Sequence, residues 1–315
     1  MADITIGTRG SKLALWQANH VADALRSAHD GIEVAIKIIK TSGDIIQDRP
    51  LYEVGGKGLF IKEIEQALMD GSVDVAVHSM KDVPVELPDG LILGGLLKRA
   101  NPMDALISRE GASLATLPKG ATVGTGSLRR RFQLLHMRFD LKVKPIRGNV
   151  DTRLAKLHDP DEGLDAIVLA MAGLERMGMG NVITEQLGMP RFFPAIGQGA
   201  MGLEIREGDD LTAERIAPLR HTNTEQCVTA ERGLLERLEG DCHLPVACHA
   251  VVNDRGVWIQ ARLGLPDASE VMEDDLFHPD ASDPRAVGMA LGDRMLEGGA
   301  GEMMEELAAR WGSDG

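Results

Sequence analysis

Short apolar runs with strand spacing alternate with amphipathic helical runs from Ile4 to Leu174, and that alternation leaves few folds open. Ile4–Gly7 reads as a strand and Ser11–Ser27 as a helix with Leu13, Trp16, Ala18 and Val21 turned inward. Glu33–Lys40 predicts a strand, Leu59–Met69 a helix, and Val73–Val77 a strand ending at His78-Ser79-Met80-Lys81-Asp82. Val123 ends a further strand, Lys142–Ile146 forms another, and Asp165–Ala170 leads into a short helix through Leu174. Strands joined through helices are βα units, because parallel neighbours need a crossover long enough to bring the chain back. Past residue 217 the pattern becomes a helix (Glu225–Leu238), short strands (Val246–Val252 and Val257–Leu265) and a terminal helix to Trp311. The expected class is α/β, followed by a small α+β unit.

At one strand-to-helix turn stands Gly124-Thr125-Gly126-Ser127-Leu128-Arg129-Arg130-Arg131. Ser127 is the expected N-cap, with Phe132, Leu134, Leu135 and Met137 following at helical spacing. A helix start favours an anion and disfavours cations. Three successive arginines there indicate a multiply charged anionic ligand.

The net charge of −14 argues against general nucleic-acid binding. The charge is uneven. Residues 120–155 hold eight cations against Asp140 and Asp151, while residues 251–315 hold five arginines against fourteen carboxylates. A basic pocket therefore persists inside an acidic, solvated surface. The three cysteines, Cys227, Cys242 and Cys248, have neither metal-site spacing nor an export signal beside them, so free thiols and no metal are expected. No stretch has the ~18 apolar residues of a membrane span. A cytoplasmic chain without membrane or nucleic-acid partners is the expectation, and the absence of an apolar seam favours a monomer.

Ligands of open α/β sheets bind beyond the carboxyl ends of strands. Arg9 and Ser11, then His78, Lys81 and Asp82, then Thr125, Ser127, Arg129 and Arg130, then Arg147 and Arg153 follow four such ends. Together they form one cleft for a ligand with several carboxylates or phosphates. Asp82 is the exception: neighbouring cations keep it charged, fit to stabilise a developing cation or to orient N–H donors. Val54-Gly55-Gly56-Lys57-Gly58 is a candidate lid, Pro194–Ala200 a crossover segment, and Cys242 lies in a loop suited to covalent use.

These segments are similar to those of the porphobilinogen deaminase (hydroxymethylbilane synthase) family over nearly the whole chain. The resemblance rests on Thr8–Ser11 with Leu13–Ala18, Val54–Phe60, Ala76–Pro84, Val123–Arg130, Arg147–Val150, Gly197–Ala200 and Thr229–Arg232 leading to Cys242. It implies a tetrapyrrole-pathway transferase that links four porphobilinogen molecules, releasing ammonia each time, and hydrolyses off linear hydroxymethylbilane. It further implies a dipyrromethane cofactor on Cys242 and catalysis by Asp82. Lys81, Thr125, Ser127, Arg129, Arg130 and Arg147 would hold the cofactor, and Arg9, Ser11, Arg153, Arg176, Gln198 and Phe60 the substrate. Arg131 matches no role and is expected to face solvent. The implied fold is two periplasmic-binding-protein-like α/β domains flanking a cleft (1–98 with 198–216, and 99–197) plus an α+β domain (217–315) that carries Cys242. Departures are Lys12 for a usual Pro, Gly126 for Ser, and Asp241 for Gly.

Two other readings fit less well. A non-catalytic two-lobed anion-binding module would carry an export signal and need neither Asp82 nor Cys242. A P-loop phosphotransferase needs G-x4-G-K-[ST], which the Gly124 turn lacks.

Overall fold

The computed structural model describes residues 2–42, 61–239 and 244–311. β1 (Ile4–Thr8) lies parallel to β2 (Val34–Ile38) and β3 (Val75–Ser79). α1 (Lys12–Ala28) covers one face of this sheet, burying Ala18, Val21, Ala22 and Leu25 against Ile4, Ile6 and Val75. α2 (Lys62–Met69) covers the other, packing Ile64 and Leu68 on Val73 and Ala76. β4 (Leu91–Leu96) belongs to the same sheet, but a strand from far along the chain, β10 (Met201–Arg206), separates it from β3, antiparallel to both.

The second sheet repeats the plan with order β7-β6-β8-β5-β9. Its strands are β5 (Asp104–Ser108), β6 (Thr122–Gly124), β7 (Lys142–Lys144), β8 (Ala166–Ala170) and β9 (Glu185–Leu187). α3 (Leu128–Met137), α4 (Val150–His158) and α5 (Met171–Arg176) alternate with them, and α6 (Asp210–Ile216) returns to the first sheet. The third unit sets α7 (Thr222–Arg237), α8 (Pro284–Glu297) and α9 (Ala300–Trp311) against an antiparallel sheet of β11 (Val246–Asn253), β12 (Gly256–Gly264) and β13 (Val271–His278). Leu234, Ile259, Leu291 and Met295 form its centre. Among the described residues, no helix is long and apolar enough to cross a membrane.

Three expectations need correction. Trp16 is 37% exposed rather than inward, stacking on His20 one turn along the outer face of α1. The terminal helix is two helices, broken at Gly298-Gly299, where Gly299 takes φ +103°. β3 runs on through His78 and Ser79.

Candidate functional site

Four strand-to-helix turns of the first two sheets face each other. After β1, Ser11 caps α1 by accepting from the Ala14 amide at 3.2 Å, and Arg9 is half-buried beside it. After β3, Met80–Asp82 forms a single 3-10 turn, tied down by the Met80 amide donating at 3.1 Å to Ala200, the residue before β10. This leaves Lys81 half-buried and the Asp82 carboxylate exposed.

After β6, Thr125 is buried, its amide donating to Lys144, and Ser127 caps α3 by accepting from the Arg130 amide at 3.4 Å. Gly126 fits because a Cβ there would stand 2.9 Å from the Ile146 carbonyl. Arg129 and Arg130 are each 5% exposed and share one buried carboxylate, Asp104, at 2.8 and 2.7 Å. Burial alone would raise the Asp104 carboxyl, but the two guanidiniums overcome that and hold it at about 2. The pair opposes the α3 dipole only in part, since Asp104 neutralises one of the two charges. Asp104 was not anticipated; an acid opening the apolar run Asp104–Ser108 was the available signal.

Arg147 and Arg153 bracket the start of α4. Arg153 donates from Nε to the Gly148 carbonyl at 2.7 Å, while one buried terminal nitrogen of Arg147 has no hydrogen-bond partner among the described residues. Burial, then the charge of Arg130, lowers the Arg153 guanidinium to about 10, with Asp82 acting against them. Burial lowers Lys81 to about 8, opposed first by Asp82. These mutual influences place Asp82, Lys81, Arg130 and Arg153 in one electrostatic neighbourhood. An uncompensated, desolvated cation cluster around one exposed carboxylate suits a ligand with several carboxylates.

Other candidates make contacts that the sequence did not disclose. His78 lies inside the first sheet, its Nε2 2.8 Å from Glu204 of β10, and does not reach the cleft. Gln198 is fully buried; its amide nitrogen donates to Pro102 and Asp104, and its oxygen lies 3.5 Å from Lys81 Nζ. These contacts place it between Lys81 and Asp104. Arg131 does not face solvent: it donates to Pro266 and Val143, tying α3 to the loop after β12. Arg176 donates to Gly199 at 2.7 Å with its guanidinium 5.8 Å from the Trp16 ring centre. Lys12 meets Asp151 of α4 at 2.8 Å, joining the first and second sheets' units. Cys242, Asp241, Phe60 and the Gly55–Gly58 loop lie outside the described residues. Cys227 and Cys248 are buried, and burial raises both thiols, Cys248 well above the usual range.

The three units meet at one joint. Arg99 donates to both oxygens of the fully buried Glu231 on α7, at 2.6 and 3.1 Å, and to the Gln198 carbonyl.

Residues 4–214 match the family model described as porphobilinogen deaminase, dipyromethane cofactor binding domain, and residues 225–297 match the porphobilinogen deaminase C-terminal domain. The chain belongs to the porphobilinogen deaminase family. Porphobilinogen deaminase of Nitratidesulfovibrio vulgaris (strain Hildenborough) is 50% identical over 316 residues, covering 100% of this chain and 99% of its own. That of Syntrophotalea carbinolica is 49% identical over 304 residues, 96% of each chain. Among solved structures, the periplasmic aliphatic sulphonate binding protein SsuA from Escherichia coli aligns over 94% of this chain and 87% of its own, at 13% identity and a TM-score of 0.41. The matched cofactor-binding domain of porphobilinogen deaminase spans all four turns of the cleft. The orphaned Arg147 nitrogen fits a carboxylate-bearing group such as a dipyrromethane.

Proposed function

We propose that this protein condenses four porphobilinogen molecules head to tail on a dipyrromethane held by Cys242, then releases linear hydroxymethylbilane by hydrolysis. The observation that carries this is the cation cluster around Asp82, with Lys81 and Arg153 partly desolvated and Arg147 unsatisfied. In each condensation the aminomethyl C–N bond breaks and ammonia leaves with its electron pair. A C–C bond then forms from a pyrrole carbon, which loses its proton. The dipyrromethane, when bound, would supply that nucleophilic carbon for the first addition, each added ring would supply it for the next, and the dipyrromethane would remain on the protein after hydrolysis.

Asp82 stabilises the positive charge that develops as ammonia departs and orients pyrrole N–H groups. Arg9, Ser11, Arg147, Arg153 and Arg176 hold acetate and propionate groups, with Thr125 and Ser127 lining the same turn. Arg129 and Arg130 supply charge from beneath, anchored by Asp104. The division into 1–98 with 198–216, 99–197 and 217–315 is part of this reading, as are a monomer and a cytoplasmic setting.

Intact-mass measurement is the direct test. The purified active chain is expected to exceed its sequence mass by one dipyrromethane, and Cys242→Ala to remove the excess and the turnover together. An active chain at its bare sequence mass would overturn the assignment.

A pH dependence follows from Lys81. Its ammonium is lost as pH rises through about 8, and a carboxylate ligand then loses one counter-charge. KM is expected to rise several-fold between about pH 7.5 and 9, and Lys81→Arg, charged throughout, is expected to flatten that limb. An unchanged slope in the arginine variant would assign the effect elsewhere.

A further inference from the structure

Outside the cleft, a cavity of about 340 Å³ lies between β4 and α7, with Arg285 of α8 at its edge. Its floor is apolar: Val85, Leu93, Leu96 and Val228. Three guanidiniums reach it, and two already have counter-ions. Arg220 meets Glu225 at 2.8 Å, and Arg285 is paired with Glu236. The third, Arg232, has no carboxylate partner among the described residues. It donates instead to three neutral carbonyls, those of Val83, Pro84 and Val85, at 3.1, 2.7 and 2.9 Å. Burial lowers its guanidinium, opposed only at a distance by the charge of Glu236 one turn along α7, which is itself paired with Arg285. Three bonds leave two of its five N–H groups available.

We propose that this cavity is a regulatory site for a small organic monocarboxylate with an apolar body. The apolar floor takes the body, and Arg232 takes the carboxylate; the volume is near the lower end of ~300–1,000 Å³ for small-molecule sites. A neutral ligand would leave Arg232 uncompensated, and a dianion would exceed the single surplus charge of three guanidiniums and two carboxylates. The site communicates with Asp82, because the three carbonyls that Arg232 holds belong to the residues directly after it. A ligand that reorients the guanidinium shifts that segment. The site stands apart from the proposed reaction; only its effect on turnover rests on that reading.

The test uses the cofactor-loaded protein and 2-naphthoate, followed by its fluorescence, with 2-naphthylmethanol as the neutral control. One saturable site is expected, weakened at least tenfold by Arg232→Gln and by Thr229→Trp, which fills the cavity mouth without removing the cation. Lys81→Gln is expected to leave this binding unchanged while weakening substrate binding in the cleft. Saturating 2-naphthoate is expected to change kcat at least threefold with KM held. Binding lost in Lys81→Gln but kept in Arg232→Gln places the probe in the cleft and overturns the proposal, as does equal binding of the alcohol or no saturable binding. Binding with kcat unmoved overturns the link to Asp82.

Discussion

Asp82→Asn is expected to lower turnover by roughly two to three orders of magnitude, the scale for losing one preorganised charge-stabilising group. The covalent mass increment and substrate binding are expected to persist. The substitution keeps the size of the side chain, deletes its charge and turns one acceptor oxygen into a donor. The turn that presents it is held by backbone bonds, Val83 N–H to Met80 and Met80 N–H to Ala200, which do not involve the carboxylate. Asp82 is also the group that opposes the burial-driven lowering of both Lys81 and Arg153. Its loss should therefore move the alkaline limb of the KM profile to lower pH. Near-normal turnover, measured by ammonia release, would remove Asp82 from its assigned role.

Asp104→Ala is expected to destabilise the fold by about 3–5 kcal/mol, because it strands two buried guanidiniums without a counter-ion. Urea titration followed by circular dichroism reads the loss. A well-packed apolar substitution of all three groups together is expected to cost far less. The carboxyl of Asp104 sits at about 2 in the folded protein, below its ordinary value of 3.8. Its contribution is complete above about pH 4 and is lost as pH falls towards 2, so Asp104→Asn is expected to flatten stability across that window. A loss below about 1 kcal/mol in Asp104→Ala would mean that water or rearrangement serves the arginines.

Residues whose type conflicts with local physics were readable in the sequence. Arginines at a helix start and a carboxylate amid cations at a strand end both pointed to the cleft, and Ser127 is the cap its position predicted, whereas Ser11, read as the first helical residue, caps its helix instead. Partners distant in sequence were not readable. Asp104 and Gln198 serve Arg129, Arg130 and Lys81 at sequence separations of 25 to 117, which no local pattern records. β4 and β10 were missed because glycines interrupt both apolar runs and because Glu204, buried against His78, looks polar from sequence alone. β13 carries acids on its exposed face and lacks the apolar period of a strand. Trp16 was misplaced since aromatic character signals burial only on average.

The insertion of β10 between β3 and β4 also sets the order in which the chain becomes a protein. The second sheet draws on one continuous stretch, 104–187, whereas the first waits for residues 201–206 to join partners made long before. At roughly 5–20 residues per second of translation, the inner edges of β3 and β4 stay unpaired for on the order of ten seconds. Nascent chains ending between β9 and β10 should accordingly hold a protease-resistant second sheet and a first sheet in need of a chaperone.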